Sequence, residues 1–319
     1  MHASLHATRR TLLLAGLGGV LSACAAPMRT RASSADLPAL ASAAPVRIPA
    51  SRQFDVTLAG QRRRIFVALP PDPAPPGGHP VLYALDGNAL FPLLAPLARQ
   101  RAARPDDVRI AAPAVIGLGY ATDDPYDMAA RADDYTLAPL PGASADAGGT
   151  GADRFLDFLE HDVQPWLARQ FPVASQRQTL FGHSYGGLLT LYALFTRPHL
   201  FQRYVAASPS IWWGDRAILP LRDRFVQQHT PLPIPASLLV TAGSLEEGVP
   251  NRDPERARRQ QARKQISSAR DLVRSLQHVP DLQAQFRLLD GEDHGSVVPP
   301  SAALAVRAAS APVPAGVPA

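Results

Sequence analysis

The regular alternation of short apolar segments with longer amphipathic segments is the feature that most constrains this chain. Between Val81 and Leu289, continuous apolar runs such as "VLYALDG" and "LLVTAGS" alternate with segments whose apolar residues recur at spacings of three and four. Such runs are typical of strands buried on both faces, and the longer spacing is typical of helices. The pattern predicts an α/β fold, with a mostly parallel central sheet covered by helices on both faces.

Local patterns refine this prediction. "QFDVTLAG" and "RRRIFVALP" alternate in polarity around a turn, which predicts an antiparallel hairpin before the parallel strands. Residues 152–171, "ADRFLDFLEHDVQPWLARQF", predict one amphipathic helix. Residues 253–279, "DPERARRQQARKQISSARDLVRSLQHV", predict one long helix.

The N-terminal residues predict an export signal. Arg9 and Arg10 precede an apolar run that is too short to span a bilayer and ends at Cys24, the single cysteine of the chain. "LSAC" resembles a bacterial lipobox, so we expect Cys24 to carry lipid and to tether a periplasmic protein to a membrane. The alternative is a small buried thiol. Twin-arginine and general export both stay open.

Four segments follow from these patterns. Residues 1–23 are a predicted signal peptide of the lipoprotein type, 24–50 a flexible tether, 51–308 one α/β domain, and 309–319 a disordered tail. An apolar content of 46% and a charged content of 18% fit a globular domain with a sizeable core. The net charge of +5 arises in a chain whose basic residues, except Lys264, are all arginine. We attribute it to compositional bias, and no nucleic-acid-binding pattern accompanies it.

The stretch "TLFGHSYGGLL" contains the candidate nucleophile, Ser184. Its G-x-S-x-G pattern alone is weak evidence, but here a strand precedes it and a helix follows directly. That context is typical of a nucleophile elbow, in which a strained turn holds the serine at the edge of the sheet. The alternative is an ordinary hydroxyl in a turn.

A serine nucleophile needs a base, and the base needs an acid. His294 is the preferred base because it lies in the polar loop "DGEDHGS" after the final strand, whereas the adjacent His183 is expected to pack under the turn. The acid is expected after the strand between serine and histidine, where "SLEEG" offers Glu246, the preferred candidate, or Glu247. A Ser–His dyad without a tight acid contact stays open, and Asp290 and Asp293 are interpreted as solvated loop residues.

Two backbone amides are expected to bind the oxyanion. One is that of Tyr185, directly after the nucleophile, and the other is that of Asn88, with Gly87 as second choice, in the loop "LDGN". An ordinary turn is the alternative for this loop.

Seven motifs in order give a family resemblance: "VLYALDGNALF", "VIGLGY", "RADDYTLAP", "TLFGHSYGGLLTLYALF", "YVAASPSIWW", "LLVTAGSLEEG" and "DGEDHGSVVP". Over about residues 50 to 308 the chain resembles the "putative esterase" branch of the α/β-hydrolases, and within it the siderophore esterases that open enterobactin- and salmochelin-type trilactones. The resemblance implies nucleophile, base and acid at Ser184, His294 and Glu246. Membrane-tethered periplasmic members of that group fit the lipobox interpretation.

Substrate-binding candidates are less specific. Trp212 or Trp213 could stack on an aromatic acyl group, or the two could form a core pair. Arg131 could meet an anionic substrate, or could pair with Asp133 or Asp134. Gly87 is a further candidate. Residues 141–151 are interpreted as a flap over the site or as a disordered loop.

The sequence therefore predicts a serine esterase that acts on a small-molecule ester, which for a siderophore esterase is a ferric siderophore or its iron-free form. No metal or organic cofactor is required, since iron would enter with the substrate. Alternatives are a general or feruloyl esterase, an acyltransferase, and a non-catalytic envelope binding protein. Oligomeric state does not follow from the sequence.

Overall fold

The computed structural model describes residues 40–58, 60–102, 111–138, 151–228, 231–248 and 253–312. The chain divides into two units, Met1–Val46 and Arg47–Ala319. In the described part of the first unit there is one exposed 3-10 turn, Leu40–Ser42. The predicted signal peptide and Cys24 lie outside the described residues. No helix within the described ranges is long and apolar enough to cross a membrane.

The second unit contains a mostly parallel sheet, which confirms the predicted fold class. Its described strands are β1 Ser51–Leu58, β2 Gln61–Ala68, β3 His79–Leu85, β4 Ala114–Tyr120, β5 Val173–His183, β6 Arg203–Ala207, β7 Ala236–Gly243 and β8 Leu282–Leu289. The spatial order is β1-β2-β4-β3-β5-β6-β7-β8. β1 and β2 form the predicted antiparallel hairpin, β2 also pairs antiparallel with β4, and the remaining pairs are parallel.

Helices connect the parallel strands. They are α1 Gly87–Ala102, α2 Met128–Tyr135, α3 Ala152–Phe158, α4 Gln164–Gln170, α5 Tyr185–Thr196, α6 Trp213–Arg216, α7 Ile218–Gln227, α8 Pro254–Arg263, α9 Gln265–Ser275 and α10 Val298–Ser310. A π-helical turn at Leu159–Val163 joins α3 to α4, so the predicted helix over 152–171 is continuous but not uniformly α-helical.

The core has two layers because strand side chains alternate between the faces of the sheet. On β3, Leu82 and Ala84 pack with residues of α1 and α10 on one face. Val81, Tyr83 and Leu85 pack with helices including α3, α5 and α9 on the other. α5 runs next to the sheet and is apolar nearly all round, as expected of a buried helix. The loops after β3, β5, β6, β7 and β8 consequently meet at one edge of the sheet.

The predicted long helix over 253–279 is wrong, because it breaks at Lys264. Lys264 adopts a left-handed conformation with φ 48° and ψ 50°, and α9 begins at the next residue. The carboxylate of Glu247 accepts hydrogen bonds from the amides of Ile266 and Ser267, two groups that have no intrahelical acceptor at a helix start. This capping explains why a new helix begins here.

The predicted disordered tail over 309–319 is wrong at its start. α10 continues to Ser310, and Ala309 and Ser310 are buried. Arg177 and Arg203 donate hydrogen bonds to carbonyls of residues 310–312. Basic side chains that bind the final carbonyls stabilise a helix end. Residues 313–319 lie outside the described part.

Candidate active site

Ser184 occupies a sharp turn between β5 and α5. Its backbone is strained, with φ 58° and ψ −113°, and its amide donates to the carbonyl of Ala207 at the end of the neighbouring strand. A Cβ atom at Gly182 would collide with the backbone of Gly186 across the turn. The tight packing therefore explains the glycine at Gly182 and leaves the Ser184 hydroxyl at the edge where the loops meet.

A hydrogen-bond chain runs from Ser184 to an acid. The Ser184 Oγ lies 3.1 Å from His294 Nε2, and His294 Nδ1 lies 2.6 Å from Glu246 Oε2. Because a carboxylate only accepts, the proton between His294 and Glu246 belongs to Nδ1, which leaves Nε2 free to accept the serine proton. The structure thus brings together the three side chains that the sequence selected.

Glu246 is held in place from behind. Its side chain is 2% exposed, and its Oε1 accepts hydrogen bonds from Ser208 Oγ at 2.5 Å and from the Gly243 amide at 2.7 Å. The His294 side chain is 43% exposed. A buried, fixed carboxylate beside an accessible imidazole can orient the ring while the ring's outer nitrogen faces a substrate.

The alternative acid, Glu247, faces elsewhere. Besides the two amides of α9, its carboxylate accepts a hydrogen bond from Ser267 Oγ at 2.8 Å. Burial alone would raise the pKa of Glu247, but the hydrogen bonds from Ser267 and Ile266 outweigh it and hold that pKa below its usual range. The structure therefore gives the two adjacent glutamates different contacts, of which only those of Glu246 include His294.

Asp290 and Asp293, interpreted as solvated loop residues, make local contacts. Asp293 accepts hydrogen bonds from the amides of Gly295 and Ser296, and Asp290 accepts one from Ser244 Oγ. Asp293 thus shapes the turn that carries His294.

His183 packs under the turn, as expected. Its Nε2 donates to the backbone carbonyl of His294 at 2.8 Å, and the centres of the His183 and His294 rings are 4.7 Å apart. Burial, with the nearby His294 ring as a smaller cause, lowers the pKa of His183 to about 3. His183 is therefore a neutral support for the loop that carries His294.

We predict that His183 makes the fold sensitive to acid. The unfolded chain takes up a proton near the ordinary histidine pKa and the folded chain does not, so stability is present above that pKa and is lost as pH falls toward the folded pKa. Between about pH 7 and about pH 5 the loss is about 2 kcal/mol. In His183→Gln, urea unfolding should show a correspondingly smaller loss over this range. The exposed His278→Gln is the control, and an unchanged pH slope in His183→Gln contradicts the prediction.

The oxyanion candidates surround the elbow. Tyr185 is the first residue of α5, and Gly87 and Asn88 are the first two of α1, so their amides have no intrahelical acceptor. A Cβ at Gly186 would lie 3.3 Å from Leu85 Cβ, which shows how closely α5 approaches the end of β3. The site thus contains amides without an intrahelical acceptor, and such amides can stabilise an oxyanion.

The Asn88 side chain has a different role from its amide. Its Oδ1 accepts from the Tyr120 amide at 2.9 Å, and its Nδ2 donates to the carbonyls of Tyr120 and Thr122. Gly87 is buried against β4, where a Cβ would collide with the backbone of Gly117. These contacts fix the start of α1 against the chain that follows β4.

Neither ion pair considered as the alternative for Arg131, with Asp133 or with Asp134, is present. Arg131 is 5% exposed and donates from Nε and from its second terminal nitrogen to the carboxylate of Asp86, at 2.8 and 2.9 Å. Asp134 is bound by the buried Arg63, and Asp133 by Arg154. Arg131 therefore braces the loop after β3 from inside, and its guanidinium also lies 5.3 Å from the ring of Tyr185.

The two tryptophans differ in environment. Trp213 is buried, donates from its indole nitrogen to the Leu137 carbonyl and packs edge-on against Tyr185 at 5.1 Å. Trp212 is partly exposed, and the guanidinium carbon of Arg263 lies 4.3 Å from its ring centre. Trp213 is thus a core residue, whereas Trp212 forms part of the surface near the nucleophile.

Two serines after β6 were not identified from the sequence. Ser208 donates to Glu246, and Ser210 Oγ lies 3.3 Å from Ser184 Oγ. Their signal was their place in "SPS" after the strand next to the elbow.

Of the predicted flap over 141–151, all but Gly151 lies outside the described residues. Within the described residues, no group of three or more His, Cys, Asp or Glu side chains could hold a metal ion.

Comparison with known proteins identifies relatives across most of the chain. The sequence model of the family described as "Putative esterase" matches residues 57–279. Ferri-bacillibactin esterase BesA of Bacillus subtilis is 34% identical over 275 residues, which is 84% of this chain and 89% of that protein. The siderophore triacetylfusarinine C esterase of Aspergillus fumigatus is 39% identical over 236 residues, 70% of this chain and 78% of that protein. The crystal structure of BES protein from Bacillus cereus superposes with a TM-score of 0.73 at 28% identity, covering 84% of this chain and 98% of that one.

Proposed function

The chain belongs to the "Putative esterase" family and is a carboxylic ester hydrolase, and on that premise we propose that it hydrolyses siderophore esters through Ser184, His294 and Glu246. The observation that supports this most directly is the unbroken hydrogen-bond chain from the Ser184 hydroxyl to the buried Glu246 carboxylate. A strained elbow, an oriented base and helix-start amides without an intrahelical acceptor fit acyl transfer by a serine.

In the proposed acylation, Ser184 Oγ bonds to the ester carbonyl carbon while its proton passes to His294 Nε2. The carbonyl oxygen becomes an oxyanion, which the Tyr185 amide and the Asn88 or Gly87 amide stabilise. The tetrahedral intermediate then breaks its bond to the alcohol oxygen, which takes the proton from His294. Glu246 stays ionised, keeps the ring oriented and stabilises the imidazolium.

Deacylation repeats these steps with water. The water oxygen attacks the acyl carbonyl carbon while one water proton passes to His294 Nε2. When the bond between Ser184 Oγ and the acyl carbon breaks, His294 returns this proton to Ser184 Oγ. The exposed face of His294 gives water access to this step. The products are a carboxylic acid, an alcohol and the free enzyme.

We propose a catecholate siderophore trilactone as the substrate, with iron entering only as part of it. The support is the sequence resemblance to enterobactin- and salmochelin-type esterases, together with relatives named for siderophore ester hydrolysis. A trilactone has three equivalent esters, so successive turnover would give a linear trimer and then shorter fragments.

A product assay tests this proposal. The protein is incubated with a catecholate trilactone, a hydroxamate siderophore ester and a feruloyl ester, the siderophores both iron-free and iron-loaded, and products are followed by chromatography with mass detection. Linear and monomeric fragments of the trilactone at rates above those for the feruloyl ester support the proposal. Preference for the feruloyl ester, or transfer of the acyl group to an added alcohol in place of water, contradicts it.

We also propose that the protein is a periplasmic lipoprotein anchored through Cys24, on the strength of the "LSAC" sequence alone. Expression with a labelled fatty acid should give a labelled, membrane-associated protein, and Cys24→Ser should release it from the membrane without label. Equal distribution of the two proteins contradicts the anchor.

A further inference from the structure

One wall of a cavity that His294 and Glu246 line is a strongly basic helix. The cavity, of about 530 Å³, is lined by His294, Glu246 and Leu245 on one side and by Arg259, Gln260 and Arg263 of α8 on the other. α8 reads "PERARRQQAR", with four arginines and one glutamate. No residue of α8 whose exposure is described is buried, so the sequence of this helix is not determined by core packing.

The position of α8 is fixed at its end near the nucleophile. The Gln260 side chain donates to the Leu245 carbonyl at 2.8 Å, one residue before Glu246. The guanidinium of Arg263 lies over the ring of Trp212. The centre of that ring is 6.1 Å from the centre of the Tyr185 ring. The chain turns at Lys264, which has a left-handed conformation. α8 therefore ends at Arg263, and Arg263 lines the cavity.

Arg263 lacks the partner that such a guanidinium normally has. Among the described residues, no carboxylate lies within 4 Å of it, although it is partly buried. Burial lowers the pKa of Arg263, and the nearby Arg259 lowers it further. The carboxylates nearest in the cavity are already occupied: Glu246 by His294, and Asp293 by two backbone amides.

Arg259 extends the positive charge along the same wall. It forms one exposed ion pair with Glu255, one turn earlier, at 3.6 Å. Exposed pairs of this kind contribute little, so Arg259 stays available to an approaching anion. The two arginines, four residues apart, lie on the same face of α8.

We propose that Arg263, assisted by Arg259, binds an anionic group of the substrate and makes the esterase selective for negatively charged esters. The inference rests on the proposed function, since it concerns the same cavity. A guanidinium without a carboxylate partner, partly removed from water in a cavity that His294 also lines, gains a charge-assisted contact only when an anion enters. Within the proposed substrate class, this favours an iron-loaded catecholate, which carries net negative charge, over the neutral iron-free form.

The test compares matched anionic and neutral esters. The probes are p-nitrophenyl half-esters of succinic, glutaric and adipic acid, each paired with its neutral methyl-capped analogue, so that the carboxylate is presented at several distances from the carbonyl. Hydrolysis without enzyme is subtracted. The variants are Arg263→Gln and Arg263→Lys, with Arg258→Gln as the control, because Arg258 belongs to the same helix but does not line the cavity.

We expect the unmodified protein to prefer the anionic ester of at least one pair. In Arg263→Gln, kcat/KM for that ester should fall about tenfold, mainly through KM, while the neutral ester changes less than about twofold. Arg263→Lys should keep part of the preference, and Arg258→Gln all of it. The preference should also weaken with added salt.

Three results would overturn the inference: no preference in the unmodified protein, equal losses in Arg263→Gln and Arg258→Gln, or equal losses for charged and neutral esters in Arg263→Gln. Thermal unfolding of each variant shows whether a loss reflects misfolding. Failure of the proposed function looks different, because then Ser184→Ala would hydrolyse the neutral esters as fast as the unmodified protein.

Discussion

Replacing Ser184 with alanine is expected to lower kcat for a simple p-nitrophenyl ester by about 10⁴–10⁶-fold. The change removes the atom that forms the proposed covalent bond, and no other hydroxyl replaces it. Ser210 Oγ is close, at 3.3 Å from Ser184 Oγ, but the structure shows the Nε2 of His294 bonded to Ser184. The remaining rate should come from the amides around the elbow and from substrate binding.

Substrate binding in Ser184→Ala should change little. The walls of the cavity, including α8 and the loop of His294, do not depend on the Ser184 hydroxyl. Steady-state kinetics therefore should show a loss in kcat with nearly constant KM. Thermal unfolding should show a fold about as stable as the parent, because the backbone strain at residue 184 is the same with or without the hydroxyl.

A double variant sharpens this test. If Ser184 and His294 act as one unit, Ser184→Ala combined with His294→Gln should be hardly slower than Ser184→Ala alone. Multiplicative losses would mean that the two side chains act independently. A kcat for Ser184→Ala within about tenfold of the parent would contradict the proposed mechanism itself.

The fold and the three central side chains were predictable because their signals are local. The spacing of apolar residues predicts each strand and most helices. The loops that follow parallel strands must then meet at one edge of the sheet. Ser184, His294 and Glu246 each follow such a strand. The order of the segments along the chain was therefore enough to bring them together.

Contacts across the structure were not predictable in the same way. The sequence offered Arg131 an anionic substrate or an aspartate of its own helix as partner, yet Arg131 binds Asp86, 45 residues away. Its neighbour in sequence, Asp134, is satisfied by Arg63, 71 residues away. Which aspartate faces which arginine depends on packing between α2 and the strands. The sequence pattern does not predict this pairing.

Helix breaks were missed for a related reason. Because α8 is polar on all sides, it has no apolar periodicity, and so no change in apolar spacing marks the break at Lys264. The break arises from Glu247, which caps α9 from another loop. A partner distant from the helix thus determined where it begins, and it also placed Arg263 in the cavity.

The adjacent glutamates, which the sequence could not fully separate, give the second large prediction. We expect Glu246→Gln to lower kcat by about 10³–10⁴-fold with little change in KM. The glutamine amide would donate to His294 Nδ1, so the ring would carry its proton on Nε2 and could not accept the proton of Ser184. Ser208 and the Gly243 amide would still bind the remaining oxygen, so the fold should persist.

Glu247→Gln is the matched control, since it makes the same chemical change one residue away. Glu247 accepts three hydrogen bonds at the start of α9, so its loss of charge should cost about 1 kcal/mol of stability and leave kcat within about twofold. Measured side by side, the pair separates orientation of the base from support of the fold. If Glu247→Gln lost activity and Glu246→Gln kept it, Glu247 would be the acid, and the hydrogen bond between Glu246 and His294 would have no catalytic role. If both variants kept full activity, Ser184 and His294 would work as a dyad, and the buried Glu246 carboxylate would serve only to hold the loops together.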